Sequence, residues 1–293
     1  TLARRFGAPV VLINARLSKR SGERYKKLRW LAGPLFRSLD AICLQDDSDI
    51  PRFAEIGSDP EKLLVTGSIK YDLESDVSPD PASVRSQIEA LQIAPDRPIL
   101  LGASTHPGEE AILGRVIQRL RKEFPSLFAV IVPRHFERGA QAAADLEKAG
   151  LKVGRSTAHP VPGCDVLLAD RTGELRKWIA VSTLVFMGKS LSARGGQNPS
   201  EAVLAEKPVL FGPNMQNFQA LVDLLLQKQA ARCVADEEEL FHACSELLRN
   251  PGAAAEMAHR AWAALDPHRG STSRARGILE HLITTKKDTP AIY

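Results

Sequence analysis

Short apolar runs alternate with amphipathic segments along nearly all of this 293-residue chain. Runs at 10–13, 41–44 and 63–66 predict strands. Between them the pattern predicts a helix over 23–39, broken near Gly33-Pro34, and another over 47–56. After residue 96 the alternation resumes, with strands at 99–102, 127–132, 165–169, 183–187 and 208–211. Helices are predicted at 107–124, 137–149, 173–179, 199–205, 217–229, 236–249, 253–264 and 271–284. Strands alternating with helices of this length predict an α/β fold whose parallel sheets are covered on both faces. The stretch 75–82, S-D-V-S-P-D-P-A, is the best linker candidate in the chain. The expected division is 1–74 as the remainder of a first Rossmann-like domain and 75–95 as linker and first helix. A second Rossmann-like domain follows over 96–265, and 266–293 is a C-terminal helix and tail. Open sheets of this kind bind ligands beyond the carboxyl ends of their strands, here facing a cleft between the two domains.

Apolar residues at 44% and charged residues at 25% are ordinary for a soluble globular protein able to bury a sizeable core. Aromatics are only 5%, so Leu, Val, Ile and Ala should build that core. The longest apolar stretches, 9–13 and 127–132, fall far short of the roughly 18 residues a membrane span needs. Cys43, Cys164, Cys233 and Cys244 show no C-x-x-C spacing and predict buried free thiols in a reducing compartment. The opening Thr1-Leu-Ala-Arg-Arg reads as the tail of a helix, and a longer protein with an upstream segment is the expectation.

Charge is unevenly spread. Residues 1–39 hold ten Lys or Arg against the single acid Glu23, +9 within a chain total of +4, which leaves −5 for the rest. Such asymmetry predicts an anionic partner for the N-terminal part or a solvated basic helix face. Nucleic acid is disfavoured as that partner, because the segment carries few aromatics, Tyr25 and Trp30, and no recognisable module. An anionic membrane surface or a phosphorylated substrate remains.

Several chemistries lack their motif. There is no G-x-x-x-x-G-K-[ST], no G-x-G-x-x-G after a strand, no H-E-x-x-H and no G-x-S-x-G. Asp46-Asp47-Ser48-Asp49 superficially offers paired carboxylates for a metal, but it stands where a helix begins and reads as capping. The unusual residues instead follow the second-series strands. Ser104, Thr105 and His106 precede a helix start and suit either a phosphate or plain capping. Pro133-Arg134-His135-Phe136-Glu137-Arg138 sets cations at the mouth of the sheet, as an anionic leaving group requires. Thr172, Gly173 and Glu174 form a third polar turn, in which Gly173 allows close backbone approach to a ligand. Gly195-Gly196-Gln197-Asn198-Pro199-Ser200-Glu201 forms the fourth, where Glu201 suits either capping of Asn198 or acceptance from ribose hydroxyls. Four polar loops on one sheet, with no metal motif, make a nucleotide-sugar site the reading of choice.

At this point an ordered set of motifs resembles a known family. It runs Asn14-Ala15-Arg16-Leu17-Ser18, Gly67-Ser68-Ile69-Lys70-Tyr71-Asp72, Ala103-Ser104-Thr105-His106, Pro133-Arg134-His135, Thr172-Gly173-Glu174-Leu175, Gly195-Gly196-Gln197-Asn198-Pro199 and Phe211-Gly212-Pro213. Together these are similar to 3-deoxy-D-manno-octulosonic acid (Kdo) transferases, from about residue 9 to about residue 245. The resemblance implies a GT-B glycosyltransferase fold and inverting transfer of Kdo from CMP-Kdo to a lipid A precursor. It implies no cofactor and no bound metal, at the cytoplasmic face of the bacterial inner membrane. By the same resemblance Pro133, Arg134, His135, Thr172, Gly173, Glu174, Asn198, Pro199, Ser200 and Glu201 hold CMP. Ser104, Thr105, His106, Gly195, Gly196 and Gln197 are candidates for the phosphate and sugar side. Arg16, Ser18, Lys19, Arg20 and Lys70 are candidates for the acceptor or membrane side. The chain departs from the family pattern at Gln197, where His is usual, and at Lys189, where a second Gly is frequent. It departs again at Ser200-Glu201-Ala202, where Leu-Glu-Pro is frequent. The family's general base is a Glu expected upstream of residue 1, so the chain alone is expected to lack its catalytic base. The alternatives are a GT-B enzyme using a UDP-sugar and an inactive GT-B protein that binds nucleotide or anionic lipid.

Overall fold

The computed structural model describes residues 6–72, 81–94, 96–158 and 161–287. The residues cluster into two compact units, 1–74 with 266–293, and 75–265. The linker candidate lies outside the described residues over 75–80, as do Thr1–Arg5 and the end of the tail.

The first unit is built on a parallel sheet in the order β1 (Val11–Ala15), β2 (Ala41–Leu44), β3 (Leu63–Val65). Its core joins Ala15, Leu17, Ile42, Leu44, Phe53 and Ile56. Helix α1 (Lys19–Lys27) starts at Ser18, whose hydroxyl accepts from the Ser21 N–H at 3.2 Å. Helix α2 (Arg29–Arg37) follows after a break at Leu28. The expected break at Gly33-Pro34 is therefore displaced. Gly33 is buried, and a Cβ there would lie 3.2 Å from the Ile56 carbonyl, so packing keeps this stretch helical through Pro34. Helix α3 (Ile50–Glu55) follows a short turn over Asp47–Asp49, in which Asp46 accepts from the Ser48 N–H at 2.8 Å. Asp49 accepts from the Leu17 N–H and pairs with Arg52. The C-terminal helix belongs to this unit. Asp72 accepts from the Gly270 and Thr272 N–H groups, both at 2.7 Å, at the start of that helix.

The second unit begins with α4 (Pro81–Ala90) and then holds β4 (Ile99–Thr105), α5 (Glu109–Glu123), β5 (Phe128–Pro133), α6 (Gly139–Lys148), β6 (Val153–Arg155) and β7 (Val166–Leu168). It continues with α7 (Leu175–Val181), β8 (Leu184–Met187), α8 (Ser200–Leu204), β9 (Val209–Phe211), α9 (Gln219–Gln227) and β10 (Arg232–Cys233). Helices α10 (Glu237–Arg249) and α11 (Pro251–Leu265) close it, and α12 (Ser271–Lys287) is the helix that returns to the first unit. The strands form one parallel sheet in the order β10-β9-β8-β4-β5-β7-β6. Strands β6 and β10 were not expected. They are two or three residues long, and Arg155, Arg232 and the exposed Cys233 interrupt any apolar run. Cys233 is thus an exception to the expected burial of the thiols. Burial pushes the Cys244 thiol up to about 12.

All seven residues of β4 are buried, as a central strand covered on both faces requires. Leu100, Ile131, Phe186 and Leu210 from four neighbouring strands share a core with Leu113, Val116, Ile117 and Leu120 of α5 and with Leu240, Cys244 and Leu247 of α10. Phe186→Ala is expected to lower the unfolding free energy by about 3–5 kcal/mol, read by urea denaturation. A loss under about 1 kcal/mol would contradict its place in a rigid core.

Candidate functional site

Because every strand in the second sheet runs parallel, the loops after β4, β5, β7 and β8 emerge from one edge, and those four strands are neighbours. The chain leaves β4 toward β5 and returns on the other side of β4 at β8, which makes β4/β8 the switch point of the sheet. Two glycines let these ends crowd together. A Cβ on Gly188 would come 2.5 Å from the Ser104 carbonyl, and one on Gly212 would come 2.2 Å from that of Ser190.

At the end of β4, Ser104 adopts φ +54 and is buried. The Thr105 hydroxyl points inward and donates to Glu110 at 2.9 Å. Its carbonyl accepts from the Arg134 N–H at 3.0 Å, which ties the β4 and β5 loops together. Glu110 is fully buried and takes a two-pronged pair from Arg138, both contacts at 3.1 Å. The cations after β5 therefore have different fates. Arg138 is held by Glu110, whereas Arg134 and His135 are exposed, and Arg134 makes no ion pair among the described residues. His106 stands 6.1 Å from the His135 ring and 3.4 Å from the Gln197 side-chain nitrogen. Burial lowers the His106 pKa, Glu109 opposes that, and Lys189, His135 and Arg138 add to the lowering. These surroundings favour the neutral imidazole.

In the turn before α7, Thr172 and Gly173 are exposed and Glu174 is buried at the helix start. In the turn before α8, Asn198 accepts from the Ser200 N–H at 3.0 Å and from its hydroxyl at 2.7 Å. Glu201 does not reach back to cap Asn198. It pairs with Arg176 at 3.0 Å and so joins the beginnings of α7 and α8. Pro199 and Ser200 are buried. The Gly195 N–H donates to Gln216 at 2.8 Å and the Gly196 N–H to the Lys189 carbonyl at 3.1 Å. The loops thus bring the four predicted polar turns to one rim, with Arg134, His135, His106 and Gln197 among its polar groups. Glu109 stands beside these loops, in the first turn of α5. It is fully buried and accepts four backbone N–H groups, from His106 and from Lys189, Ser190 and Leu191. Nothing in a one-dimensional pattern separates it from the neighbouring Glu110.

Asp170, beside this rim, is buried and accepts from Arg155, Ser156 and Thr157. Burial opposes its ionisation, but hydrogen bonds from Arg155, Thr157 and Ser156 outweigh it and hold the carboxyl below the usual range.

In the first unit, Asn14, at φ +54, accepts from the Ile69 N–H at 3.3 Å and lies 3.5 Å from the Ser68 hydroxyl. The Ser68 N–H donates to His268 at 3.2 Å. The motifs after β1 and β3 are thereby joined, which puts Arg16 and Lys70, both exposed, beyond the carboxyl ends of that sheet. Ser18, Lys19 and Arg20 follow at the start of α1 and are exposed. Trp30, Leu31 and Leu35 of α2 are 76%, 62% and 57% exposed beside this basic helix.

Residues 1–73 match the family model described as 3-Deoxy-D-manno-octulosonic-acid transferase (kdotransferase). The chain is 32% identical over 277 residues to the 3-deoxy-D-manno-octulosonic acid transferase of Haemophilus influenzae, covering 93% of this chain and 64% of that protein. It is 34% identical over 289 residues to that of Bordetella pertussis, covering 95% and 65%. The chain thus spans just under two thirds of the length of these relatives. Among solved structures, the C-terminal CMP-Kdo binding domain of WaaA from Acinetobacter baumannii aligns with a TM-score of 0.58 at 26% identity, covering 63% of this chain and 97% of that one. The UDP-GlcNAc 2-epimerase of Neisseria meningitidis, solved with UDP-GlcNAc, aligns with a TM-score of 0.59 at 15% identity, covering 95% and 71%, a likeness of fold alone. The fold is that of the GT-B glycosyltransferases.

Asp170→Asn is expected to cost about 1–3 kcal/mol of stability at pH 7. The folded carboxyl sits below its unfolded value, so its contribution is fully present above roughly pH 4 and is lost as pH falls through the folded value. The gap between variant and parent should therefore close on acidification from pH 7 to pH 3 in urea titrations, and a gap that widened would contradict the assignment.

Proposed function

We propose that the chain is a member of the Kdo transferase family and serves transfer of Kdo from CMP-Kdo to a lipid A precursor, with inversion and without a bound metal. The observation that carries this reading is Arg134, exposed after β5 without an ion pair among the described residues, next to His135, whose ring stands 6.1 Å from that of His106. A general base takes the proton of an acceptor hydroxyl, and the oxygen attacks the anomeric carbon of Kdo. The bond to CMP breaks, and CMP leaves as a phosphate monoester anion. Arg134, His135 and His106 face that charge as it develops. The turns at Thr172–Glu174 and Asn198–Glu201 flank the nucleotide, with Gly195, Gly196 and Gln197 on the sugar side.

The whole chain is expected to bind CMP in a calorimetric titration and to prefer it to UMP, while Arg134→Ala loses roughly tenfold or more in affinity. A preference for UMP would redirect the reading to UDP-sugars, and an unchanged Arg134→Ala would remove that residue from the site.

The working place proposed is the cytoplasmic face of the bacterial inner membrane. Among the described residues no helix is long and apolar enough to cross a membrane. Support for a surface association comes from α1, with Lys19, Arg20, Arg24, Lys26 and Lys27, next to the exposed Trp30, Leu31 and Leu35. Each cation near an anionic surface contributes about 1 kcal/mol, and salt screens the attraction. Sedimentation with phosphatidylglycerol vesicles is expected at low salt, falling as salt rises and with Trp30→Ser. Equal binding to neutral vesicles would count against this surface.

A further inference from the structure

Glu109 is a fully buried carboxylate that the transfer chemistry above does not use. One oxygen accepts from the His106 N–H at 2.9 Å and the Lys189 N–H at 2.7 Å. The other accepts from the Ser190 N–H at 2.8 Å and the Leu191 N–H at 3.0 Å. An acid in a first helical turn commonly does no more than favour the helix dipole. Here three of the four donors come from the far side of the switch point, 80 to 82 residues along the chain. Lys189 holds φ +56, which aims successive N–H groups at one point and forms a nest of the kind that receives an anion. The anion it receives is the protein's own.

Two consequences follow. The nest over 189–191 and the His106 N–H are already satisfied, so a ligand's phosphate finds side chains there rather than backbone. The β4 and β8 loops are also set in one register by a single group. Resting on the nucleotide-sugar reading above, we infer that Glu109 is the positioning residue of the donor site. It fixes the loop carrying Gly195–Gln197, which hangs on the Lys189 carbonyl through the Gly196 N–H, against the loop carrying His106. That register is what brings Gln197 to His106.

The test uses the whole chain. Glu109→Gln keeps the size but turns one acceptor into a donor, so one pair of N–H groups loses its partner in either amide orientation. Hydrogen exchange in peptides covering 104–109 and 188–197 is expected to rise in both together, with the core strands unchanged. CMP affinity, measured where the variant is fully folded, is expected to fall roughly tenfold. Adding Lys189→Gly, which takes the left-handed conformation without strain, is expected to recover part of that loss when compared with Lys189→Gly alone. Faster exchange in only one of the loops overturns the coupling. Loosening of both with unchanged CMP affinity overturns the positioning role. If the parent chain binds no CMP, the nucleotide reading fails, and the paired exchange still decides whether Glu109 couples the loops. Should Glu109→Gln not fold, Glu109→Asp, which draws the charge back by one methylene, is read in the same way.

Discussion

The second unit depends on one constraint, the central place of β4 in an all-parallel sheet. A strand buried along its whole length has no free edge and no wet face, so its neighbours β5 and β8 must supply its hydrogen bonds and helices must cover its sides. Parallel neighbours bring their carboxyl ends to the same rim. The polar groups that cannot enter the core are therefore gathered where the chain leaves the sheet, and the reversal of strand order at β4/β8 opens that rim to a ligand. Gly188 and Gly212 are what allow the loops to meet so closely.

Buried carboxylates then decide which cations remain for a ligand. A charge taken out of water is costly unless it is paired or hydrogen-bonded. Glu110 meets that demand with Arg138 and Thr105, Asp170 with Arg155, Ser156 and Thr157, and Glu109 with four backbone N–H groups. Glu201, partly exposed, holds Arg176. Around the rim, Arg134 makes no ion pair among the described residues and stands exposed beside His135. The first unit follows the same logic on a smaller sheet. Asn14 and Asp72 organise backbone by accepting N–H groups, and the basic residues of α1 stay in solvent.

Much of the fold was legible in the amino-acid order. Buried strands such as β4, β5 and β8 read as continuous apolar runs, and long amphipathic helices such as α5 and α10 carry a periodic signal over enough residues to be read directly. The short edge strands β6 and β10 escaped, because they hold polar residues and need a neighbour to exist at all. The break between α1 and α2 was misplaced because Gly33-Pro34 is a local warning that packing against Ile56 overrides.

Of the candidate site, the sequence by itself determined which loops carry polar chemistry and in what order, because turn residues and helix starts are local matters. It also carried an ordered set of motifs similar to those of the Kdo transferases. Only the tertiary structure decided what each polar residue does. Arg134 and Arg138 are four positions apart and chemically identical, yet among the described residues one makes no ion pair and the other, part-buried, pairs with Glu110. Glu109 and Glu110 are adjacent, yet one grips a loop more than 80 residues downstream and the other an arginine 28 residues away. Such roles follow from which distant backbone lies within about 3 Å of a carboxylate, a distance fixed by the order of the strands in the sheet and invisible in the order of the residues along the chain.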